Sequence, residues 1–421
     1  MRQLAILFPG QGSQYMGMCS KFHNRYLSVK LLFDEASSIL GLDVKKLCFE
    51  ASYSDLIRTD NAQLSVFIVN IAMYRVFMEE LNLKPAFLAG HSLGELSALT
   101  CSGGINLFDS FEIIKQRGTF MREASYLTNG GMAAVTGINS SEIEKICADI
   151  SCRKQIIVVS NYNSSNQTII SGHFDAIKLA HRKLESMGCQ VVPLNVSAPF
   201  HSPLMQIASE KLHDELQKYS YNSLEIPVIS NVTGLPYSSK DSIVENLTQH
   251  IIKPVLWKKS VDYLKSKGVT VFIEIGPKTV LRDILKKNTS SIQAFSFDDD
   301  QDYEYFIRKY GKTHIMESSK KHAIIQMCLK NALCTKNNHN CSFDEYTKNV
   351  VQPYLEIQDM QDNLIKQMIE PTVEQTYFAL RMLKTVLSFK ITPIEECIDR
   401  FNQIFMETET EEFFSDFKMV E

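Results

Sequence analysis

The sequence predicts an α/β protein: a core on a parallel sheet, a small inserted unit of mixed strands and helices, and a helical C-terminal extension. Three observations lead there. From residue 1 to about 297, short apolar runs alternate with amphipathic helical patterns. Residues 128–197 depart from that alternation and read strand, helix, strand, strand, helix, strand, the order of a ferredoxin-like unit. Beyond residue 303 the strand pattern fades and apolar residues recur at helical spacing.

Taken in order, the first strand is Leu4–Phe8, which runs into Phe8-Pro9-Gly10-Gln11-Gly12-Ser13-Gln14. A helical pattern covers Gln63–Leu81. The strand Ala86–Ala89 leads through Gly90-His91-Ser92-Leu93-Gly94 into a helical pattern at Glu95–Thr100, and a further helix covers Phe108–Ala124. The inserted unit offers strands at Met132–Thr136, Ile156–Ser160, Thr168–Ser171 and Gln190–Leu194, with helices at Ser141–Ile150 and Phe174–Met187. Val269–Glu274 returns to the core as a strand. The acidic run Asp298-Asp299-Asp300-Gln301-Asp302 reads as a solvated turn or linker. After it, Ile357, Met360, Leu364 and Met368, then Phe378, Met382 and Val386, mark helices, with Pro353, Pro371 and Pro393 at their starts. The expected division is 1–127 with 198–297 as the large α/β subdomain, 128–197 as the insertion, and 303–421 as the extension.

Composition narrows the function. With 44 basic against 48 acidic residues, the net charge of −4 is too near zero to suggest nucleic acid. Apolar residues at 44% and charged residues at 22% suit a folded soluble chain. No run reaches the roughly 18–20 apolar residues of a membrane span, and the N-terminal apolar stretch is too short for a signal sequence. The expectation is a cytoplasmic monomer without membrane contact. The ten cysteines are scattered without a CxxC pair, so reduced thiols are expected. Cys328, Cys334, His339 and Cys341 cluster in sequence, but zinc wants four suitably spaced ligands and Cys328 falls in an apolar helical pattern. No metal is expected there.

Gly90-His91-Ser92-Leu93-Gly94 is a GxSxG motif between a strand and a helix. A direct strand-to-helix turn strains the serine and exposes its Oγ at the carboxyl end of the sheet, while the glycines remove side chains that would clash across the turn. The Leu93 N–H lies at a helix N-terminus, where an oxyanion is favoured. This unit on a parallel sheet makes the core α/β-hydrolase-like. A serine nucleophile needs a base, and His201 in Ser197-Ala198-Pro199-Phe200-His201-Ser202-Pro203 is the best placed, in a loop between two prolines. Most other histidines lie in polar helical patterns and read as surface; His91 points away from Ser92 across the turn. The Gly10-Gln11-Gly12 turn could add main-chain N–H groups to an oxyanion hole, or be an ordinary strand-to-helix turn. As a dinucleotide loop it fails, because Tyr15 stands where the third glycine belongs.

These pieces resemble the malonyl-CoA:acyl carrier protein transacylase family, which includes the acyltransferase domains of polyketide synthases. The resemblance rests on Phe8–Gln14, Gly90–Glu95, Gln116-Arg117-Gly118, Asn161-Tyr162-Asn163 with Gln167, Ala198–Met205, Asn231-Val232-Thr233-Gly234 and Glu274-Ile275-Gly276-Pro277, in family order over residues 1 to about 290. It implies ping-pong acyl transfer with Ser92 as nucleophile, His201 as general base, the Gln11 and Leu93 N–H groups as oxyanion hole, and Arg117 pairing with the free carboxylate of a malonyl group. It also implies His91 and Asn161 at the substrate. The partners implied are malonyl-CoA and an acyl carrier protein whose phosphopantetheine thiol receives the acyl group; no cofactor is required. Read without the family, Arg117 is a surface charge on its helix. In polyketide acyltransferases an aromatic residue at the position of Phe200 goes with malonyl and a smaller one with methylmalonyl.

Two departures from the family stand out. Ahead of Pro254-Val255-Leu256-Trp257 the family has a glutamine whose main-chain carbonyl orients the histidine; here that position is His250. A carbonyl survives a side-chain swap, so the orienting role is expected at His250. Met121-Arg122 replaces a Met-Gln pair, which puts a positive charge at the site entrance or on the surface.

Three other functions compete. An acyl hydrolase acting on carrier proteins would gain nothing from Arg117. An ordinary esterase needs an acid between Ser92 and His201 in chain order, for which Asp109, Asp149 and Asp175 are available. A non-catalytic docking protein would not need Ser92, His201 and Arg117 together. In the extension, between residues 308 and 336, Arg308, Lys309, Lys312, Lys320, Lys321, Lys330 and Lys336 stand against the single acid Glu317. They could dock an acidic carrier protein or form a solvated helix face.

Overall fold

The computed structural model describes residues 3–81, 83–288, 292–310, 316, 318–411, 413, 414 and 417. Nine strands are described: β1 (Gln3–Phe8), β2 (Phe87–Gly90), β3 (Gly130–Thr136), β4 (Ile157–Tyr162), β5 (Gln167–His173), β6 (Gln190–Pro193), β7 (Val228–Ile229), β8 (Val269–Glu274) and β9 (Gln293–Ser296). β1 lies at the centre of a five-stranded parallel sheet ordered β7-β2-β1-β8-β9. It is buried on both faces, so its sequence is a continuous apolar run rather than an alternating one. Its register sets Phe8 beside Gly90 of β2 and Leu7 beside Glu274 of β8, which brings three strand ends to one edge. In open parallel sheets that carboxyl edge is where ligands bind. β7 and β9 were not foreseen: two and four residues are too few to carry a period.

The insertion forms a four-stranded antiparallel sheet ordered β4-β5-β3-β6, with helices Ser140–Ile150 and Phe174–Ser186. This is the ferredoxin-like order. Ala133, Val135, Ile143, Ile146, Ile170, Ala180 and Leu184 form its core.

The chain divides into two compact units that the sequence reading had not drawn. The first holds residues 1–20, 31–74 and 84–306, including the insertion; the second holds 21–30, 75–83 and 307–421. Helical periodicity shows which face of a helix is apolar but not which distant segment covers it. The acidic run 298–302 corrects the linker expectation. Asp298 accepts hydrogen bonds from the Tyr15 hydroxyl at 2.9 Å and the Lys278 N–H at 2.8 Å. Asp302 takes Arg282 Nη1 at 2.5 Å, and Asp299 Oδ1 accepts the Asp302 N–H at 2.9 Å. The run opens the helix Asp300–Tyr310, where acidic side chains complement the helix dipole.

In the second unit, helices Ser318–Cys334, Gln352–Lys366, Val373–Phe389 and Ile394–Thr408 pack on Ile324, Ile325, Cys328, Ile357, Leu383, Phe401 and Ile404. Pro353 lies in the first turn of the second of these helices and Pro393 precedes the fourth. Thr372 and Gln375 form a capping box at the third. The basic stretch is not one solvated face. Lys321 is buried with Nζ 3.5 Å from Glu80, and Lys320 binds Glu409 at 2.8 Å. Lys312, Glu317 and the Lys309 side chain lie outside the described residues. Among the described residues no helix is long and apolar enough to cross a membrane.

Lys390 is buried in this unit, and its Nζ donates to the carbonyls of Ala332 at 2.6 Å and Thr335 at 2.9 Å, closing the C-terminus of the helix Ser318–Cys334. Lys390→Met keeps the volume and removes both donors. It is expected to destabilise the helical unit by about 1–3 kcal/mol, read as a lower urea midpoint in far-UV circular dichroism. An unchanged midpoint would show that the carbonyls find other donors.

Candidate active site

β2 ends at Gly90 and the helix Gly94–Cys101 starts four residues later, with Ser92 held at φ 50° between them. The turn leaves no room for side chains at its ends. A Cβ on Gly90 would lie 1.9 Å from the Gly94 carbonyl, and one on Gly94 would lie 2.1 Å from the Phe8 oxygen. Asn231 fastens the turn: its Oδ1 accepts the Ser92 N–H at 2.8 Å and its Nδ2 donates to the Gly90 oxygen at 2.7 Å. The Gly10 turn is drawn against the same elbow, since a Cβ there would lie 2.5 Å from the His91 oxygen and 3.6 Å from the Leu93 nitrogen. The buried Asn70 side chain donates to the Pro9 oxygen at 3.1 Å and fixes that loop from the helix Thr59–Leu81.

Ser92 Oγ lies 2.8 Å from His201 Nε2. His201 Nδ1 lies 2.7 Å from the His250 carbonyl oxygen. A carbonyl only accepts, so Nδ1 carries the proton and Nε2 is left to accept from the serine hydroxyl. His201 has φ 56° and is 3% exposed. Burial first, and then the Arg117 charge, push its pKa down to about 3 against the pull of the His250 bond. The imidazole is therefore neutral at physiological pH. His250 ends the helix Ser242–His250, where carbonyls lack helical partners. Among the described residues no acid of the esterase kind takes this place: Asp109 lies in the first turn of the helix Leu107–Leu127, and Asp149 pairs with Lys183 and Asp175 with Lys178 on the insertion.

Arg117 corrects the surface-charge reading. It lies on the helix Leu107–Leu127, is 5% exposed, and gives Nη1 to Gln63 Oε1. Its Nη2 is buried with no hydrogen-bond partner among the described residues. Burial lowers its pKa to about 10, opposed by Glu95, which leaves it a cation at neutral pH. A cleft of about 280 Å³ is lined by Gln11, His91, Ser92, Arg117, Asn161, Phe200 and His201, among others. Leu93 sits at the adjoining helix start, and His250 sits behind His201 with the two rings stacked at 5.0 Å. His91 is engaged by the insertion: its Nε2 lies 2.9 Å from Asn163 Oδ1, and its ring meets Trp257 edge-on at 5.4 Å. Asn161 accepts the Ser160 hydroxyl at 2.8 Å. Arg122 is paired with Asp60 rather than free.

Three groups received no role from the sequence. Gln63 holds Arg117, Asn163 holds His91, and Glu95 lies fully buried behind the elbow. Glu95 accepts the Tyr237 hydroxyl at 2.5 Å and the Asn231 N–H at 3.1 Å, and its Oε2 lies 3.2 Å from His250 Nδ1. Burial pushes its carboxyl up to about 8. The His250 side chain is 2% exposed; burial and nearby positive charge hold its pKa well below the ordinary value. One signal for Glu95 was available: a lone acid in a helix whose other residues from Gly94 to Leu99 are apolar or small.

Residues 6–313 match the family model described as "Acyl transferase domain". The chain is 37% identical over 396 residues to a malonyl CoA-acyl carrier protein transacylase of Bacillus subtilis, covering 94% of this chain and 98% of the relative. It is 37% identical over 295 residues to the enzyme of that name from Escherichia coli strain K12, covering 70% of this chain and 95% of the relative. The first match reaches well into the C-terminal helices, which are therefore shared with at least one relative. Among solved structures, PlMCAT:AntF (holo), a type II PKS acyl-carrier protein in complex with its malonyl-transacylase, aligns with TM-score 0.70 and 31% identity, over 73% of this chain and 99% of that one.

The burial of His201 generates a pH prediction. Phenylmethanesulfonyl fluoride should modify Ser92 at a rate that stays level as pH falls from 7 through 5, below the range in which Glu95 titrates, with the acid limb displaced toward the depressed value of about 3. A limb centred near the ordinary histidine value of about 6.5 would show a base in contact with water.

Proposed function

The chain belongs to the acyl transferase family, and on that premise we propose that it transfers a malonyl group from malonyl-CoA, through an ester on Ser92, to the phosphopantetheine thiol of an acyl carrier protein. His201 Nε2 takes the Ser92 proton as Oγ attacks the thioester carbonyl. The N–H groups of Gln11 and Leu93 receive the oxyanion. Collapse of that intermediate breaks the C–S bond, and His201 returns the proton to the departing thiolate of coenzyme A. In the second half the carrier-protein thiol gives its proton to His201 and attacks the malonyl ester. Ser92 then leaves with that proton. The acyl group so delivered is an extender unit for a polyketide or fatty-acid synthase.

The observation that carries this reading is the buried Nη2 of Arg117, which has no hydrogen-bond partner among the described residues and lies in the cleft that holds Ser92 and His201. A guanidinium held in a dry site is costly until an anion meets it, and its planar fork suits a carboxylate. A malonyl thioester brings a carboxylate to that site; an acetyl thioester does not. Phe200, 5% exposed, fills the cleft wall beside His201 and leaves less room for an α-methyl branch. One methyl group is worth about 1–3 kcal/mol in such discrimination.

Loading of Ser92 is read by intact mass after mixing with malonyl-CoA or acetyl-CoA, with and without carrier protein. Fast malonyl loading, slow release to water and fast release to carrier protein are expected. Rapid hydrolysis of acetyl thioesters would instead mark an acyl hydrolase. Arg117→Ala should slow malonyl loading by roughly a hundredfold or more and acetyl loading by less than about threefold; equal effects would remove the carboxylate role. Phe200→Ala should raise methylmalonyl loading relative to malonyl by roughly tenfold. An unchanged ratio would mean that the ring does not gate the branch.

A further inference from the structure

We propose that Glu95 is the positioning residue of this site, holding the carbonyl that orients His201 and the elbow that presents Ser92 through one buried carboxyl group. The inference rests on the roles proposed above for Ser92 and His201. It also accounts for a side chain that the transfer scheme leaves unused.

Glu95 lies in the first turn of the helix that follows the nucleophile and is fully buried. Three groups converge on it. The Tyr237 hydroxyl donates to Oε1 at 2.5 Å, the Asn231 N–H donates to Oε2 at 3.1 Å, and His250 Nδ1 lies 3.2 Å from Oε2. Two of these lead to the reacting pair. Asn231, by its side chain, binds both the Ser92 N–H and the Gly90 oxygen. His250, by its main-chain oxygen, binds His201 Nδ1, and its ring stacks on the His201 ring. Glu95 thus ties the start of the nucleophile's helix to the end of the helix that orients the base.

The His250 ring has little else to hold it. Its Nε2 is buried without a hydrogen-bond partner among the described residues, so the contact with Glu95 is the polar contact that fixes the ring. The titratable and charged groups around the pair are His201, Arg117, His91 and Tyr237. None of them supplies a second acid for His250. If the ring turns, the stacked His201 and the carbonyl at the helix end lose their alignment. That carbonyl does more than fix the tautomer: the C-terminal end of a helix carries partial negative charge, which favours the imidazolium formed as Ser92 is deprotonated. A neutral carbonyl held in line by a buried acid therefore does the work of the aspartate in a serine triad.

Two readouts on the full chain test this: Ser92 modification by a small fluorophosphonate, which needs no malonyl group, and malonyl loading from malonyl-CoA. Glu95→Gln, nearly isosteric, should lower the maximal rate of both by at least about tenfold. The malonyl-CoA concentration for half-maximal loading should stay within about threefold. His250→Ala should lower both rates similarly, and His250→Gln, which restores an amide donor facing Glu95, should recover most of the loss. His250→Ala and His250→Gln decide the matter if Glu95→Gln does not fold. Wild-type fluorophosphonate rates in Glu95→Gln, or a loss seen only as weaker malonyl-CoA binding, would overturn the inference and leave the proposed function standing. Fluorophosphonate labelling that depends on Glu95 in a protein that never loads malonyl would do the reverse.

Discussion

Between β2 and the helix Gly94–Cys101 the main chain turns so tightly that neither end of the turn can carry a Cβ, and the Phe8 oxygen presses on the same spot from β1. The arrangement of the site follows from that contact. It sets Ser92 at the carboxyl edge of the sheet in a left-handed conformation and puts the Leu93 N–H at the mouth of a helix. It draws the Gly10 turn to within van der Waals reach of the elbow, so that two separate main-chain segments face one point. The burial of β1 on both faces supplies the rigidity. A strand free to shift would carry the Gly10 turn away from the serine.

The insertion and the core share the remaining duties. The core supplies Ser92, His201 and the helix carrying Arg117; the insertion reaches in with Asn161 and with Asn163, which engages His91. A parallel bridge between Asn161 and Val255 seats β4 against the segment that follows His250. The cleft is thus lined from two sheets of opposite character. The parallel sheet carries the elbow, and the antiparallel sheet carries the side chains that close over it, with Asn163 holding the residue next to Ser92.

The sequence was informative wherever chemistry is local. The elbow spans five consecutive residues, and its glycines and serine are explained by a turn whose geometry is the same in any chain that makes it. β8 was read to the residue because Val269, Val271, Phe272 and Ile273 make a short apolar run that starts directly after Gly268 and ends just ahead of Gly276-Pro277. What could not be read depends on contacts between distant residues. Glu95 and His250 are 155 positions apart and each alone looks like a polar helix residue; only the fold buries both. Arg117 appears as a surface charge until Gln63, 54 positions away, is set beside it. The acidic run 298–302 looks solvated because its partners Tyr15, Lys278 and Arg282 are separated from it along the chain. The second unit shows the same limit, since segments 21–30 and 75–83 join it from the far end of the sequence.

Arg117 and His201 constrain one another, and this bears on how a loaded site differs from an empty one. Without an anion, the Arg117 charge is the second largest influence lowering the His201 pKa, after burial itself. The base is then neutral but weak, because a proton on it would sit near an unneutralised cation in a dry cleft. In the transfer proposed above, a malonyl carboxylate bound to Arg117 cancels much of that field. Its binding therefore raises the basicity of His201 at the moment a thioester carbonyl lies beside Ser92. An acyl group without a carboxylate fills the cleft and leaves the base as weak as before. On this argument Arg117 selects substrate twice, once by pairing with the carboxylate and once through the proton affinity of the base. The second selection acts on the rate of serine deprotonation rather than on binding.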